Sequence, residues 1–236
     1  MTFIKPGSSM TRRLFPSGVE QEMLTVGSAH TPTPFIVRVS LVDAVSPFVL
    51  IDSSTMPAAY IYSGRTSILS LGIIEEIRVA GALRFGLARD TATAGGVRGT
   101  PKIALLYPAR HEIDVEGHVD EAGIEILPFS LGQLHPSLQL PGAICLGTAL
   151  SIPGTVAWDL RRQKAAHTNH NFSLAQQAIM IDPTMSTVKW LLKHPSGLMD
   201  VEASLETHEN GERFVEGVSV FRTARRLFEG KVFYRL

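Results

Sequence analysis

Ile73-Ile74-Glu75-Glu76-Ile77-Arg78-Val79-Ala80-Gly81 is the stretch on which the fold turns. Ile73, Ile74, Ile77, Ala80 and Gly81 recur at the i, i+3, i+4, i+7 spacing of one helical face, while Glu75, Glu76 and Arg78 lie mostly off that stripe. The pattern predicts an amphipathic helix with one side in a core, running from about Thr66 to Arg89. Thr66 or Ser67 supplies a capping hydroxyl at its start. Gly72, Gly81 and Gly86 lower helix propensity, and their presence predicts close packing against a sheet.

Strands flank this helix on both sides. Upstream, Phe35, Val37, Val39 and Leu41 alternate with Arg38 and Ser40, the period of a half-buried strand. Pro47-Phe48-Val49-Leu50-Ile51-Asp52 holds an apolar run too short for a helix and suited to a buried strand. Downstream, Thr91 to Thr100 is rich in Ala, Gly and Thr and reads as a loop, and a strand follows at Lys102 to Tyr107. Near the start, Phe3 to Gly7 reads as a strand entering a turn, and Leu14 to Gly18 as another turn.

Further out, polar Glu116 to Gly123 precedes a strand at Ile124 to Phe129. A second helix is predicted from Pro141 to about Leu150, with Pro141 at the first helical position, where its missing N–H is harmless. Ile152 to Thr155 interrupts it, and a third helical stretch runs from Val156 to Lys164. Phe172 to Met180 adds a short helical turn. The end of the sequence is strand-rich, with Thr187 to Leu192, Met199 to Glu206 and Phe214 to Val220. Asn210-Gly211, within His208 to Glu212, marks a hairpin between the last two. A helical turn at Ala224 to Glu229 and a strand at Lys231 to Tyr234 complete the reading. The order of elements suggests a mixed α+β domain spanning 1–236, and the apolar stripe predicts a curved sheet wrapped around one helix, either Thr66–Arg89 or Pro141–Leu150.

Composition narrows the function classes. The chain has 236 residues, 44% hydrophobic and 19% charged, the make-up of a folded globular protein. Lys+Arg and Asp+Glu number 22 each, so no net field draws the chain to nucleic acid or an anionic membrane, and an anionic ligand must be held by local groups. Charged residues, Gly or Pro interrupt every apolar run before it reaches a membrane span, and the first residues lack the apolar stretch of a signal peptide. A single cysteine, Cys145, excludes an intrachain disulfide and a multi-Cys zinc site. A cytoplasmic location is the expectation.

Several segments carry candidate chemistry. At Pro141-Gly142-Ala143-Ile144 a helix start offers unpaired N–H groups and a positive dipole end to a carboxylate, with Gly142 leaving room for its approach. The same residues also read as an ordinary Pro-initiated helix start. Cys145 stands between Ile144 and Leu146 without a basic neighbour and reads as a buried structural thiol. In His194-Pro195-Ser196-Gly197 the Ser196 hydroxyl or Gly197 N–H could hold a carboxylate and His194 could exchange a proton; a plain strand-ending turn is the other reading. Gln133 and His135 precede the second helix. His167, Asn169 and His170 lie close together but indicate no third metal ligand, so no metal is expected. Arg225 and Arg226 point apart on a helix, so at most one faces a given ligand, and structural ion pairing is the other reading.

Ordered strings across nearly the whole chain resemble the PrpF family. They are Phe3 to Met10, Leu14 to Gly18, Ser40 to Ala44 with Pro47-Phe48-Val49, Ile77 to Ala82, and Thr100 to Ala104. Gly142 to Leu146, Ile152 to Val156, His194 to Gly197, and Thr223 to Gly230 continue the series. The resemblance implies a diaminopimelate-epimerase-like fold and cofactor-independent proton transfer on aconitate-type unsaturated carboxylates. It also implies two pseudo-symmetric domains with the site in the cleft between them, this chain matching the C-terminal one. The family's Lys and Cys for proton transfer belong to the first domain and have no counterpart here, so no catalytic residue is assigned. It places the Gly142-Ala143 helix start at the cleft, and with His194, Ser196 and Gly197 from the residue reading these are the expected substrate-binding residues. Pro141 stands where family members often carry Thr, neutral Gln133 where related enzymes often carry a basic residue, and Cys145 lies a few residues further in than the epimerase cysteine. The partners implied are a small carboxylate substrate and either a separate N-terminal half or a second copy, with neither nucleic acid nor membrane. A catalytically silent binding or interaction domain is the competing reading, and a different reaction on the same fold is a third.

Overall fold

The computed structural model describes residues 1–108, 123–167, 185–208 and 213–221. Ten strands and five α-helices follow one another along it. β1 (Thr2–Ile4), β2 (Glu22–Val26), β3 (Phe35–Ala44) and β4 (Ser46–Asp52) come first, then α1 (Ala58–Ser63), α2 (Ile68–Arg84) and α3 (Thr91–Gly96). β5 (Lys102–Pro108), β6 (Ile124–Ser130) and β7 (Gln133–Leu134) lead to α4 (Leu140–Ser151) and α5 (Val156–His167). β8 (Met185–His194), β9 (Gly197–Thr207) and β10 (Arg213–Val220) complete the order.

All ten strands join one mixed sheet in the order β1-β10-β9-β8-β6-β5-β4-β3-β2, with β7 beside β6. The β4–β5 and β6–β8 pairs are parallel and the others antiparallel. The residues after β1 close this sheet on itself. Lys5 N–H donates to Glu216 O at 2.8 Å, Val45 N–H donates to Pro6 O at 2.8 Å, and Gly7 bridges Ala44. A closed sheet must enclose something, and it encloses α4.

Alternation along the central strands explains why two cores form. Phe48 and Leu50, Ala104 and Leu106, and Ile124 and Ile126 face α4, as do Val201, Ala203 and Leu205 of β9. Val49 and Ile51, Ile103 and Leu105, and Leu127 and Phe129 face the other way, onto α2. The unbroken apolar run of β4 is therefore buried on both faces. Each fully buried aliphatic or aromatic side chain here contributes about 1.5–3 kcal/mol.

The predicted apolar stripe of α2 packs as expected, with Ile73, Ile74, Ile77 and Gly81 buried and Ala80 partly buried on the same core. The helix is shorter than Thr66–Arg89. Ser67 caps its start by accepting from Ser70 N–H at 3.0 Å. At its end Gly86, at φ 74°, turns the chain back so that Leu87 N–H reaches Ala82 O at 2.9 Å, a Schellman cap. Only Gly81 makes the expected close approach to the sheet, since a Cβ there would lie 2.5 Å from Val49 Cγ2. Gly72 instead makes room for the His30 ring.

Between the two candidate central helices, α4 is the enclosed one and α2 lies on the outer face. Every residue from Gly142 to Ser151 is buried. Gly147 lets α4 sit against β9 and β10, where a Cβ would come 2.6 Å from Val201 Cγ1 and 3.0 Å from Val218 Cγ1. Pro141 occupies the second helical position, after Leu140. The chain bends by 66° between α4 and α5, where the Thr155 hydroxyl donates to Ala149 O at 2.6 Å and accepts from Trp158 N–H at 3.1 Å.

The Ala/Gly/Thr-rich segment expected to be a loop contains α3. Asp90 caps it, accepting from Thr93 N–H at 2.7 Å, and the buried Arg78 guanidinium takes up the carbonyls of Ala94, Val97 and Thr100. Among the described residues no single helix is long and apolar enough to cross a membrane. The expected elements at Phe172–Met180, Ala224–Glu229 and Lys231–Tyr234, and most of the 116–123 segment and the Asn210-Gly211 turn, lie outside the described residues.

Candidate active site at the start of the enclosed helix

The α4 start sits at the end of the closed sheet marked by the β3–β4 turn. Cys145 Sγ meets Val42 O at 3.8 Å, whereas past the far end of α4, where α5 begins, Val156 N–H donates to Ser40 Oγ at 2.9 Å. α4 thus runs inward from this rim. Gln139 is its N-cap and makes no side-chain cap bond, and Pro141 supplies no N–H. The first-turn N–H groups of Leu140 and Gly142 therefore have no capping side chain, and the helix dipole directs positive potential outward here. Gly142 is buried because Leu138 Cδ1 and Phe48 Cζ lie 2.9 and 3.1 Å from where a Cβ would be. Ala143 is buried behind it, its N–H donating to Gln139 O at 2.9 Å.

The β8–β9 turn reaches the same rim. The Ser196 hydroxyl donates to Pro136 O, three residues before the Gln139 cap. Ser196 N–H donates to His194 Nδ1 at 3.2 Å, which makes Nδ1 the acceptor nitrogen of that ring. His194 pairs with Gly197 across the hairpin end, and Gly197 takes the left-handed region at φ 126°. Ser196 and Gly197 are exposed and His194 is half-buried. On the adjoining loop His135 N–H donates to Pro128 O at 2.8 Å, and its Nδ1 is held by Ser137, 2.5 Å from the carbonyl oxygen and 3.3 Å from the backbone nitrogen. Gln133 is exposed in β7.

Cys145 takes no part at the rim. Burial pushes its thiol pKa far up, so the thiolate that nucleophilic or acid–base work needs is inaccessible. Its nearest carboxylate, Asp43, has another task. Asp43 accepts from the Ser9 hydroxyl, from Met10 N–H at 2.8 Å, and from Thr11 N–H and hydroxyl at 2.6 and 2.8 Å. Burial pushes the Asp43 pKa up, but these hydrogen bonds outweigh it and hold the carboxyl below its ordinary value. It fixes the loop that closes the sheet beside the rim. Sequence reading passed over Asp43, although an acid inside the apolar run Leu41 to Ala44 signals a buried acceptor.

Among the described residues no three His, Cys, Asp or Glu side chains converge as metal ligands. His167 ends α5, while Asn169, His170, Arg225 and Arg226 lie outside the described residues. The rim so defined can hold a carboxylate and orient it, and among the described residues it gathers two imidazoles near an uncapped helix start.

This combination of closed sheet, enclosed helix and helix-start rim defines the diaminopimelate-epimerase-like α+β fold. The PrpF protein family model matches residues 1–235, and the chain belongs to that family. A 2-methyl-aconitate isomerase from Shewanella oneidensis is 31% identical over 166 residues, covering 69% of this chain and 36% of that protein. The putative isomerase YraM of Bacillus subtilis is 25% identical over 99% of this chain and 54% of its own length. The crystal structure of a methylitaconate-delta-isomerase superposes with a TM-score of 0.66 at 19% identity, over 97% of this chain and 54% of the other, and shares the fold. The chain thus spans about half the length, or less, of the proteins it matches.

Proposed function

We propose that this chain forms one wall of the active site of an isomerase that moves a proton within an aconitate-type unsaturated carboxylate, without a cofactor. The observation that carries the proposal is the meeting of the uncapped α4 start and the Ser196–Gly197 turn at one rim, in a chain of the PrpF family. A substrate carboxylate placed against the Leu140 and Gly142 N–H groups would gain from both hydrogen bonding and the helix dipole. Removing a proton from the carbon next to a carboxylate builds enolate-like charge on that carboxylate. Donors already aimed at it stabilise the transition state without reorganising. Ser196, its hydroxyl and N–H engaged with Pro136 O and His194 Nδ1, would hold its turn in place, and Gly197 N–H and His194 Nε2 would donate to a second carboxylate.

The acid and base belong to a facing wall. Cys145 is excluded by burial, and Nδ1 of each rim histidine is engaged with its own loop. A second unit of the same architecture, opposite α4, would supply proton transfer and exclude water from the charge that develops. Titration with trans-aconitate, followed through backbone amide shifts, tests the binding half of this proposal. Shifts at Gly142, Ala143, Ser196 and Gly197 are expected. Shifts confined to 222–236, which includes Arg225 and Arg226, would show that the carboxylates bind elsewhere.

A further inference from the structure

We infer that the cleft between α2, the segment 97–102 and the β6–β7 turn binds a small oxyanion group, a carboxylate or a phosphate, through Arg98, Lys102 and Ser130. Its floor includes Ile74, Ile103 and Phe129, which belong to the core on the α2 side of the sheet. The cleft therefore opens on the face away from α4 and is separate from the rim described above. The inference does not rest on the proposed isomerase reading.

Charge decides the class of ligand. Arg78, Arg98 and Lys102 line the cleft with one carboxylate, Glu75. Glu75 is consumed by Arg78, which donates to it at 2.9 and 2.7 Å and gives its other N–H groups to the carbonyls of Ala94, Val97 and Thr100. That pair cancels, and it also fixes the backbone that carries the other two cations. Arg98 makes just a long pair with the same carboxylate, at 3.9 Å, and its side chain is 53% exposed. Lys102 has no ion-pair partner among the described residues, and neither does the Ser130 hydroxyl have a hydrogen-bond partner among them. One carboxylate thus serves two arginines while Lys102 is unpaired, so the cleft keeps a net positive charge beside a free hydroxyl, the elements of an oxyanion site.

Glycine at 132 gives the Arg98 head group its place. Leu131 and Gly132 form a tight left-handed turn, at φ 53° and 75°. The Arg98 guanidinium lies across it, with Nη2 1.9 Å from where a Cβ on Gly132 would be. Any other residue at 132 would displace the arginine. The enclosed space is about 10 Å³, room for roughly one water-sized group. One oxygen of the ligand would enter while the rest stands at the surface, so inorganic phosphate or the terminal carboxylate of a larger molecule fits.

Backbone amide shifts during separate titrations with inorganic phosphate and with tricarballylate test this, on the parent chain, Arg98→Gln and Lys102→Gln. The expected result is a saturable shift at Gly132 and Leu131 with at least one anion, about tenfold weaker in either variant. A response to phosphate alone assigns a phosphate site, and a response to tricarballylate alone assigns a carboxylate site. Lys102→Arg should retain binding, and Ser130→Ala should weaken it without altering the thermal melt, which separates lost contacts from lost folding. Absence of a saturable shift at these amides with both anions, or equal affinity in parent and variants, would overturn the inference.

Discussion

Arg78 is the side chain whose loss this fold should tolerate least. It is buried, paired with Glu75, and the common donor to three carbonyls of the α3 region. Arg78→Met removes the charge and strands Glu75 and those carbonyls, so a loss of about 3–5 kcal/mol in urea unfolding is expected. Asp43 makes a different prediction because it titrates. Its folded-state pKa is depressed by hydrogen bonds, so its stabilisation is fully present above the ordinary value of about 3.9 and fades as pH falls through the lower folded value. Asp43→Asn keeps the shape but forfeits charge-assisted bonds, costing about 2 kcal/mol at neutral pH. In urea midpoints measured from pH 7 to pH 2, the parent should approach the variant as acid protonates Asp43. A constant gap across that range would show that the carboxylate does not titrate as described.

At the scale of elements, glycine placement separates tight packing from open helix. Gly147→Ala in α4 would drive a Cβ into Val201 and Val218, both β-branched and held in the core, and should cost about 1–3 kcal/mol. Gly95→Ala in α3 meets nothing within 4 Å and should instead stabilise by about 0.5–1 kcal/mol. Thermal melts of the two variants should move in opposite directions. The same elements show what the sequence makes legible. The α2 stripe follows from periodicity and the two-sided β4 from an unbroken apolar run too short for a helix, and both are found. That α4 is the central helix was written in its composition, since 142–151 carries no charged residue, the mark of a helix buried all round. α3 was hidden because Ala, Gly and Thr favour no one state, and its stability comes from Arg78, a tertiary contact. β2 was missed because Glu22 to Val26 is a short edge strand whose pairing with β3 supplies its order.

For the whole molecule, the candidate site was legible as two motifs but not as one place. Gly142 and Ser196 lie far apart in sequence, and only the closed sheet, with Ser196 bonded to Pro136, brings their segments to one rim. No periodicity encodes a contact of that range. The proposal that this rim is one wall of an isomerase site makes a claim about division of labour: carboxylate binding here, proton transfer opposite. Positioned acid–base catalysis supplies about 10²–10⁴-fold of rate, so the chain by itself should bind but scarcely turn over. The direct measurement is isomerisation of trans-aconitate and 2-methylaconitate by the purified chain, alone and mixed with a facing unit from a PrpF relative. The account predicts negligible activity alone and activity in the mixture that falls with Ser196→Ala. Robust activity from the chain alone, abolished by His194→Ala, would contradict it and place the proton transfer on this wall.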